Sequence, residues 1–428
     1  AAQTTLADAL ATAWRNAPRL AADRAALRAL DEREFQARAE GLGSVDATGS
    51  YGYGNNTVQS LSGSERVDTD PLSLGLSGSI PLYTGGRIRN RAEAALEGVR
   101  GGRAQLVSTE QTVLLDAVTA FEDVRRDVGL VEVARSNVRV ISEQLRAARD
   151  RFEVGEVTRT DVSQAEARLA GARSTLVAQT GQLERSRQAY LAAVGEPAGE
   201  LAEPPALPDL PESEAAAIAL AEAQHPELER ARFAVAEAEA GVKVSLGAML
   251  PQLSLEGDAI YSDRTLLLDG RDNEAVNFNA RVQATLPLWS GGRNASGVRE
   301  AQARVAEAQA GVHETARRIR RAVSEAWSGL EVARASIVAA REQIRAAELA
   351  FEGVRQEANL GARTTLDVLD ADQERQRARA DLIIALRDEY VAGYSLLSAV
   401  GSLTADHLGL EVEPYDPDAY RRGVRAEP

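Results

Sequence analysis

Two periods run along this chain of 428 residues, a short one of two and a long one of seven. Val45, Ala47, Gly49, Tyr51 and Tyr53 alternate with Ser44, Asp46, Thr48 and Ser50. Leu72, Leu74, Leu76, Ile80 and Leu82 alternate with Ser73, Gly75, Ser77 and Ser79. Further on, Leu253, Leu255, Ala259 and Tyr261 alternate with Gln252, Ser254, Glu256 and Asp258. Val276, Phe278, Ala280, Val282, Ala284, Leu286 and Leu288 do so with Asn277, Asn279, Arg281, Gln283 and Thr285. Successive side chains on a strand point to opposite faces, so these runs predict four strands, each with one apolar face. Each is about ten residues or slightly more, the length of a tilted membrane strand. The polar stretches Asn55–Asp70 and Ser262–Ala275 are expected to be hairpin loops.

The period of seven belongs to helices. Ala117, Val124, Val131, Val138, Leu145 and Phe152 fall seven apart, as do Val323, Leu330, Ile337, Ile344 and Phe351. Val162, Leu169, Leu176, Leu183 and Tyr190 continue the pattern on a return helix. Such spacing predicts helices packed side by side at shallow angles. Arg87–Asp150 and Arg293–Gln356 would each be about 95 Å of helix at 1.5 Å per residue. Thr5–Asn16, Pro18–Gly41, Asp161–Val194, Pro226–Gly247 and Thr365–Val400 supply shorter pieces.

Both periods occur twice. Ser79-Ile-Pro-Leu-Tyr-Thr-Gly-Gly-Arg87 matches Thr285-Leu-Pro-Leu-Trp-Ser-Gly-Gly-Arg293, with Pro81 and Pro287 206 residues apart. The same offset pairs Phe121 with Trp327, Gly155 with Gly361, Asp161 with Asp367, and Ala193-Val-Gly195 with Ala399-Val-Gly401. The chain therefore reads as a tandem duplication. Residues 1–202 form a first repeat with a hairpin at about 44–83 and a helix pair at 87–194. A Pro-rich joint at 203–213 leads to a second repeat at 214–401, with a hairpin at about 251–289 and a helix pair at 293–400. Residues 402–428 read as a polar tail. Pro81 and Pro287 are expected to end the last strand of each hairpin. Gly85-Gly86 and Gly291-Gly292 are expected to turn strand into helix, because glycine tolerates dihedrals that other residues avoid.

A soluble sandwich with one wet face also alternates. The membrane reading is preferred because the rest of each copy is helix, leaving nothing to cover an apolar sheet face. Four strands cannot close a barrel, and an open edge cannot face lipid with its backbone groups unpaired. Membrane barrels begin at about eight strands, which two protomers would supply with a filled interior. Three protomers would supply twelve and leave a lumen. The fold class expected is mainly α with membrane β.

Composition narrows the function. A net charge of −15 offers no basic face for nucleic acid. Cysteine is absent, which excludes disulfides and thiolate metal sites. The three histidines (His225, His313, His407) have no ligand spacing, and neither glycine pair is followed by the Lys-Ser/Thr of a phosphate-binding loop. The reading is no enzyme and no cofactor. No apolar run reaches the length of about 18 residues that a spanning helix needs. Ala1–Thr5 shows no basic or apolar leader, so the protein is either cytoplasmic or has lost a signal peptide.

The hairpin, the Pro-Leu-aromatic-x-Gly-Gly-Arg turn, the long helix, and Gly361-Ala-Arg-Thr-Thr-Leu-Asp-Val-Leu-Asp-Ala371 together resemble the TolC family of outer-membrane channel-tunnels. The likeness covers nearly the whole chain. It implies a homotrimer whose twelve-stranded β-barrel, four strands per protomer, continues into a long periplasmic α-helical barrel. It also implies outer-membrane lipid as surroundings and docking to a periplasmic adaptor (membrane fusion) protein. The third partner implied is an inner-membrane ABC or proton-driven transporter, for drug efflux or type I secretion. The helix tips around Glu153–Asp161 and Asn359–Asp367, with Gly155 and Gly361, would be the periplasmic entrance where the adaptor docks.

The resemblance assigns acidic pore rings to Asp367 and Asp370, and closing links to Arg363, Thr160 and Asp161. A tyrosine expected three residues before the second tip glycine is Ala358 here, so at least one closing link is absent or remade. By residue type alone, Thr158-x-x-Asp161 and Thr364-x-x-Asp367 also read as helix capping boxes, the favoured reading for Asp161. Asp370 lies past the first turn on the face of Asp367, which favours a pore role. The missing N-terminal cysteine argues against the lipid-anchored efflux subgroup, and the acidic tail Glu411–Tyr420 resembles tails of secretion-associated members. The competing reading is a structural or adaptor coiled-coil protein with no membrane role.

Overall fold

The computed structural model describes residues 3–60, 63–266 and 271–426. In chain order its elements are α1 (Leu6–Asn16), α2 (Pro18–Ala39), β1 (Ser44–Tyr51), β2 (Gly54–Ser60), β3 (Gly63–Thr69), β4 (Leu72–Tyr83), α3 (Arg87–Glu153) and α4 (Arg159–Val194). The second half gives α5 (Glu214–Gln224), α6 (Pro226–Gly247), β5 (Gln252–Leu266), β6 (Arg271–Thr285), α7 (Arg293–Asn359), α8 (Thr365–Val400) and α9 (Ala419–Ala426). The protein is mostly helical with one antiparallel sheet. Long helices α3 and α7 have 67 residues each, about 100 Å of continuous helix. None of the described helices is long and apolar enough to cross a membrane.

The sheet has six strands: β1, β4, β5 and β6 form an antiparallel meander in that order, and the β2–β3 hairpin joins it where Thr69 of β3 pairs Leu266 of β5. Its register assembles the alternating residues into rows. One face carries Ala47, Leu76, Ala259 and Phe278 across all four strands, and beside them Gly49, Leu74, Tyr261 and Val276. The other carries Ser44, Ser79, Glu256 and Arg281, then Asp46, Ser77, Asp258 and Asn279. The apolar rows lie open: Leu76, Val276 and Phe278 are all exposed. On the polar face Arg281 donates to Glu256 at 2.6 and 2.9 Å, and Asn279 donates to Asp258 at 2.9 Å. Among the described residues β1 and β6 each have a single strand neighbour.

Two expectations about the hairpins are corrected. The stretches expected as loops are largely strand: β2 pairs β3 from Gly54↔Thr69 to Ser60↔Gly63, and the β5–β6 ladder runs to Leu266↔Arg271. Backbone pairing needs no apolar face, so the ladder continues where side-chain alternation stops carrying a signal. Residues 61–62 and 267–270, at the centres of those stretches, lie outside the described residues. Pro81 does not end its strand, since β4 reaches Tyr83. Its pairing with β5 shifts register between Pro81 and Tyr83, and the β1 ladder has already stopped at Ser79. The missing N–H thus falls where the ladder is one-sided and irregular. Pro287 lies two residues past the end of β6.

The compact units cut across the repeats. One comprises Ala1–Ala25, Ala104–Glu229 and Glu314–Pro428; the other comprises Ala26–Arg103 and Arg230–His313 and holds the sheet. The first has a core of Leu6, Leu10, Leu114, Phe121, Tyr190 and Leu403, among others. Heptad positions Ala117, Val124, Val131, Val323, Leu330 and Ile337 are buried. The segment read as a polar tail is part of this core. Leu403 and Ala405 are buried, Leu408, Leu410, Val412 and Tyr415 pack against them, and α9 follows. The Arg24 guanidinium lies 4.4 Å from the Trp14 ring and 5.1 Å from that of Tyr415, which fastens the segment by cation–π contact.

Candidate gate at the helix tips

Each long helix ends in a glycine turn. Gly155 and Gly361 have φ of 80° and 78°, the left-handed region that spares glycine the Cβ clash. Gly155 N–H donates to Phe152 O and Gly361 N–H to Ala358 O, both at 3.0 Å. The return helices then start on identical caps. Thr158 Oγ1 and Asp161 form a reciprocal capping box at the head of α4, and Thr364 and Asp367 form one at the head of α8. Backbone N–H donation, from Thr158 to Asp161 and from Thr364 to Asp367, holds both carboxyls below their usual range.

The remaining tip residues are placed as follows. Arg363 pairs with Glu357 at 2.9 Å within its own turn, and that hydrogen bond raises the guanidinium pKa further. Thr160 is exposed in the first turn of α4. Asp370, one turn beyond Asp367, does not share its neighbour's role. It accepts from Arg168 of α4 at 2.7 Å, and the same guanidinium donates to Gln373 of α8 at 2.6 Å. Asp367 turns back onto its cap while Asp370 reaches across to another helix. At the strand–helix turns, Gly85, Gly86, Gly291 and Gly292 have φ of 63°, 78°, 60° and 84°.

The sequence reading passed over Arg168, Gln373 and a second group that fastens α8 to α7. Arg375 pairs with buried Asp372 and lies 4.0 Å over the Phe351 ring, and Arg379 pairs with Glu348 at 2.7 Å. A trace of Arg168 was available: at the repeat offset it aligns with Glu374, so the two copies carry opposite charges at one position. Among the described residues no group of acidic, His or Cys side chains could hold a metal ion.

A sheet with one open apolar face, one hydrogen-bonded polar face and outer strands with a single neighbour each among the described residues, joined to helices of 67 residues with capped tips, defines a membrane channel protomer. The chain belongs to the outer membrane efflux protein family, whose family model matches it twice, over residues 9–196 and 217–402. It is similar to the outer membrane efflux protein BepC of Brucella suis biovar 1, 35% identical over 424 residues, 98% of this chain and 90% of that one. It is also similar to the outer membrane protein TolC of Vibrio cholerae, 26% identical over 345 residues, 79% of this chain and 78% of that one. Its fold matches the Campylobacter jejuni CmeC outer membrane channel with a TM-score of 0.80 at 16% identity, covering 98% of this chain and 88% of that one. The double match fits the tandem duplication. The protein is thus an outer-membrane channel protein and not an enzyme, which overturns the coiled-coil adaptor alternative.

Proposed function

We propose that three copies of this chain form an exit duct that carries proteins or small toxic molecules across the outer membrane. The carrying observation is the four-strand meander whose apolar face is exposed and whose outer strands β1 and β6 each have one strand neighbour among the described residues. Joining β1 of one copy to β6 of the next pairs both outer edges of the four-strand meander, and three copies give a twelve-stranded barrel with its polar rows inward. Exposed Val332, Val338 and Leu349 on α7 favour the same assembly, since a neighbouring copy would cover them. The tips around Gly155 and Gly361 would then be the periplasmic entrance, where an adaptor docks and connects the duct to an inner-membrane transporter. Arg363, Thr160, Asp161, Asp367 and Asp370 are the gate residues of this reading.

The test is the assembly and conductance of detergent-extracted protein. A particle of three 45.6 kDa chains that opens ion-conducting pores in planar lipid bilayers is the expected result. A monomer that stays soluble in plain buffer and conducts nothing would overturn the duct.

A further inference from the structure

We propose that the foot of the sheet's polar face binds small organic anions, those that carry a carboxylate or a phosphate, with Arg87 as the charged anchor. The site stands on a cavity within one protomer, and its place on the wall of a lumen rests on the duct reading above.

The polar rows do not end at Ser44 and Ser79. Two residues further along the strands come Pro81, Ser254 and Gln283, and then Gln252 and Thr285. Between this foot and the first turns of α3 opens a cavity of about 530 Å³, a volume that suits a small molecule rather than a lone ion. Ser44, Ser79, Ser254, Thr285, Gln252 and Gln283 are among its lining residues and supply neutral hydrogen-bonding groups. Its charged lining is two guanidinium groups, Arg87 and Arg91, and one carboxylate, Glu40. Glu40 is committed to Arg91. Arg87 pairs with no carboxylate among the described residues, so the cavity keeps a positive charge in a chain whose net charge is −15.

Arg87 is held in place with most of its donors unmet. Its Nη2 donates to Gln252 Oε1 at 2.9 Å, and its Nε is buried without a partner among the described residues. A Cβ on Gly247, the last residue of α6, would stand 2.6 Å from Arg87 Cγ. The missing side chain at 247 lets the arginine stem lie against that backbone, while Gln252 fixes its head. Nη1 and the second N–H of Nη2 are left for a ligand. A carboxylate or phosphate accepts two parallel N–H bonds from such a planar group.

The second repeat supplies the contrast. Arg293 follows Gly291-Gly292 as Arg87 follows Gly85-Gly86, yet it is exposed, and a Cβ on Gly291 or Gly292 would meet nothing within 4 Å. One motif makes an open turn in one copy and an anchored cation in the other. With the polar rows inward, three such cavities would ring the lumen and give a strongly acidic protein a station for anionic cargo.

Detergent-extracted protein is titrated with phenyl phosphate at constant ionic strength, and binding is read by saturation-transfer NMR of the phenyl protons. Saturable transfer in the millimolar range is expected, reversed by excess inorganic phosphate and absent with phenol. Arg87→Gln should weaken binding about tenfold, and Arg87→Lys, which keeps the charge without the fork, about threefold. Arg293→Gln should bind as the wild type does. The inorganic phosphate arm needs no substitution, so it stands even where a variant folds poorly. A second competition uses micelles loaded with phosphatidylglycerol, whose headgroup offers the same chemistry from the membrane. Displacement by that lipid and none by inorganic phosphate would overturn the soluble ligand. Equal binding by the wild type and Arg87→Gln overturns the site, and leaves the duct standing where the same preparation conducts in planar bilayers. Binding that depends on Arg87 in a preparation that forms no pore upholds the site and overturns the duct.

Discussion

Thr364 and Asp367 hold each other at the head of α8: Thr364 N–H and Oγ1 donate to Asp367 Oδ2 at 2.8 Å each, and Asp367 N–H donates back to Thr364 Oγ1 at 3.2 Å. Thr158 and Asp161 repeat the three contacts at 2.9, 2.8 and 3.4 Å. The acid that the family likeness places in a pore ring is also the one that starts its helix, so removing it disturbs two things at once. Thr364→Ala separates them, because it deletes the cap and keeps the carboxylate. Capping threonines matter enough that amides 365–368 should exchange with deuterium roughly threefold to tenfold faster in Thr364→Ala. The acid side of the box has a pH sign. With folded values depressed, both carboxyls contribute stability above the ordinary value of about 3.9, lost as pH falls through the lower folded value. Protection of these amides should therefore hold from neutral pH to about pH 4 and fall only below it.

Gly85 and Gly291 occupy the same place in the two repeats and should respond differently to alanine. Both are left-handed, at φ 63° and 60°. A Cβ on Gly85 would stand 2.5 Å from Gly247 O and 2.8 Å from Leu250 Cβ, whereas one on Gly291 would meet nothing within 4 Å. Gly291→Ala should cost only the backbone strain, about 1–2 kcal/mol. Gly85→Ala adds a clash with backbone that cannot move aside, and should sharply lower the yield of heat-resistant oligomer on gels. Equal yields for the two variants would contradict the difference.

How much of this was legible follows from which interactions are periodic. The four strands, the long helices and the duplication were legible because side-chain polarity repeats every two residues along the strands and burial every seven along the helices. Val124, Val131 and Leu330 are buried where the heptad puts them. At the tip the pattern ends, and Phe152, the last heptad position of α3, is 44% exposed. The caps were legible too, since a box is local in sequence. The Arg168–Asp370 tie spans 202 residues, and no local rule couples such positions. The buried tail was missed because Leu403, Ala405 and Leu408 are scattered among polar residues in a segment with no period.

The rows of the sheet predict a face-dependent response to charge. Phe278 stands in the exposed apolar row with Ala47, Leu76 and Ala259, while its neighbour Asn277 lies on the opposite face across from Ile260. Arginine at 278 would have to enter lipid, at about 2–4 kcal/mol near the bilayer midplane. Arginine at 277 would enter a watery lumen. Phe278→Arg should therefore reduce the protein recovered in the outer-membrane fraction severalfold, and Asn277→Arg should leave recovery near the wild type. The reverse order would place the lipid on the other face.

Glu122 is a buried acid whose role can be separated from the gate. It is 2% exposed on α3, accepts from Arg125 at 3.1 Å through one oxygen, and its other oxygen has no partner among the described residues. Burial raises its pKa, and the attraction of Arg125 and Arg387 does not fully offset this. A carboxyl raised in the folded state contributes stability below its unfolded value of about 4.3, lost as pH rises through the folded value. At pH 7.5, well above the unfolded value, the cost of burying this acid is therefore felt by the folded wild type. Glu122→Gln keeps the shape and an acceptor for Arg125 while removing the acid. Its apparent melting temperature in detergent, at a fixed scan rate, should match or exceed the wild type by about 1–3 °C at pH 7.5. Near pH 4 the wild-type carboxyl is protonated and the gap should close. A fall of several degrees at pH 7.5 would mean that the attraction to Arg125 outweighs the burial cost, and would reverse the sign assigned to this residue.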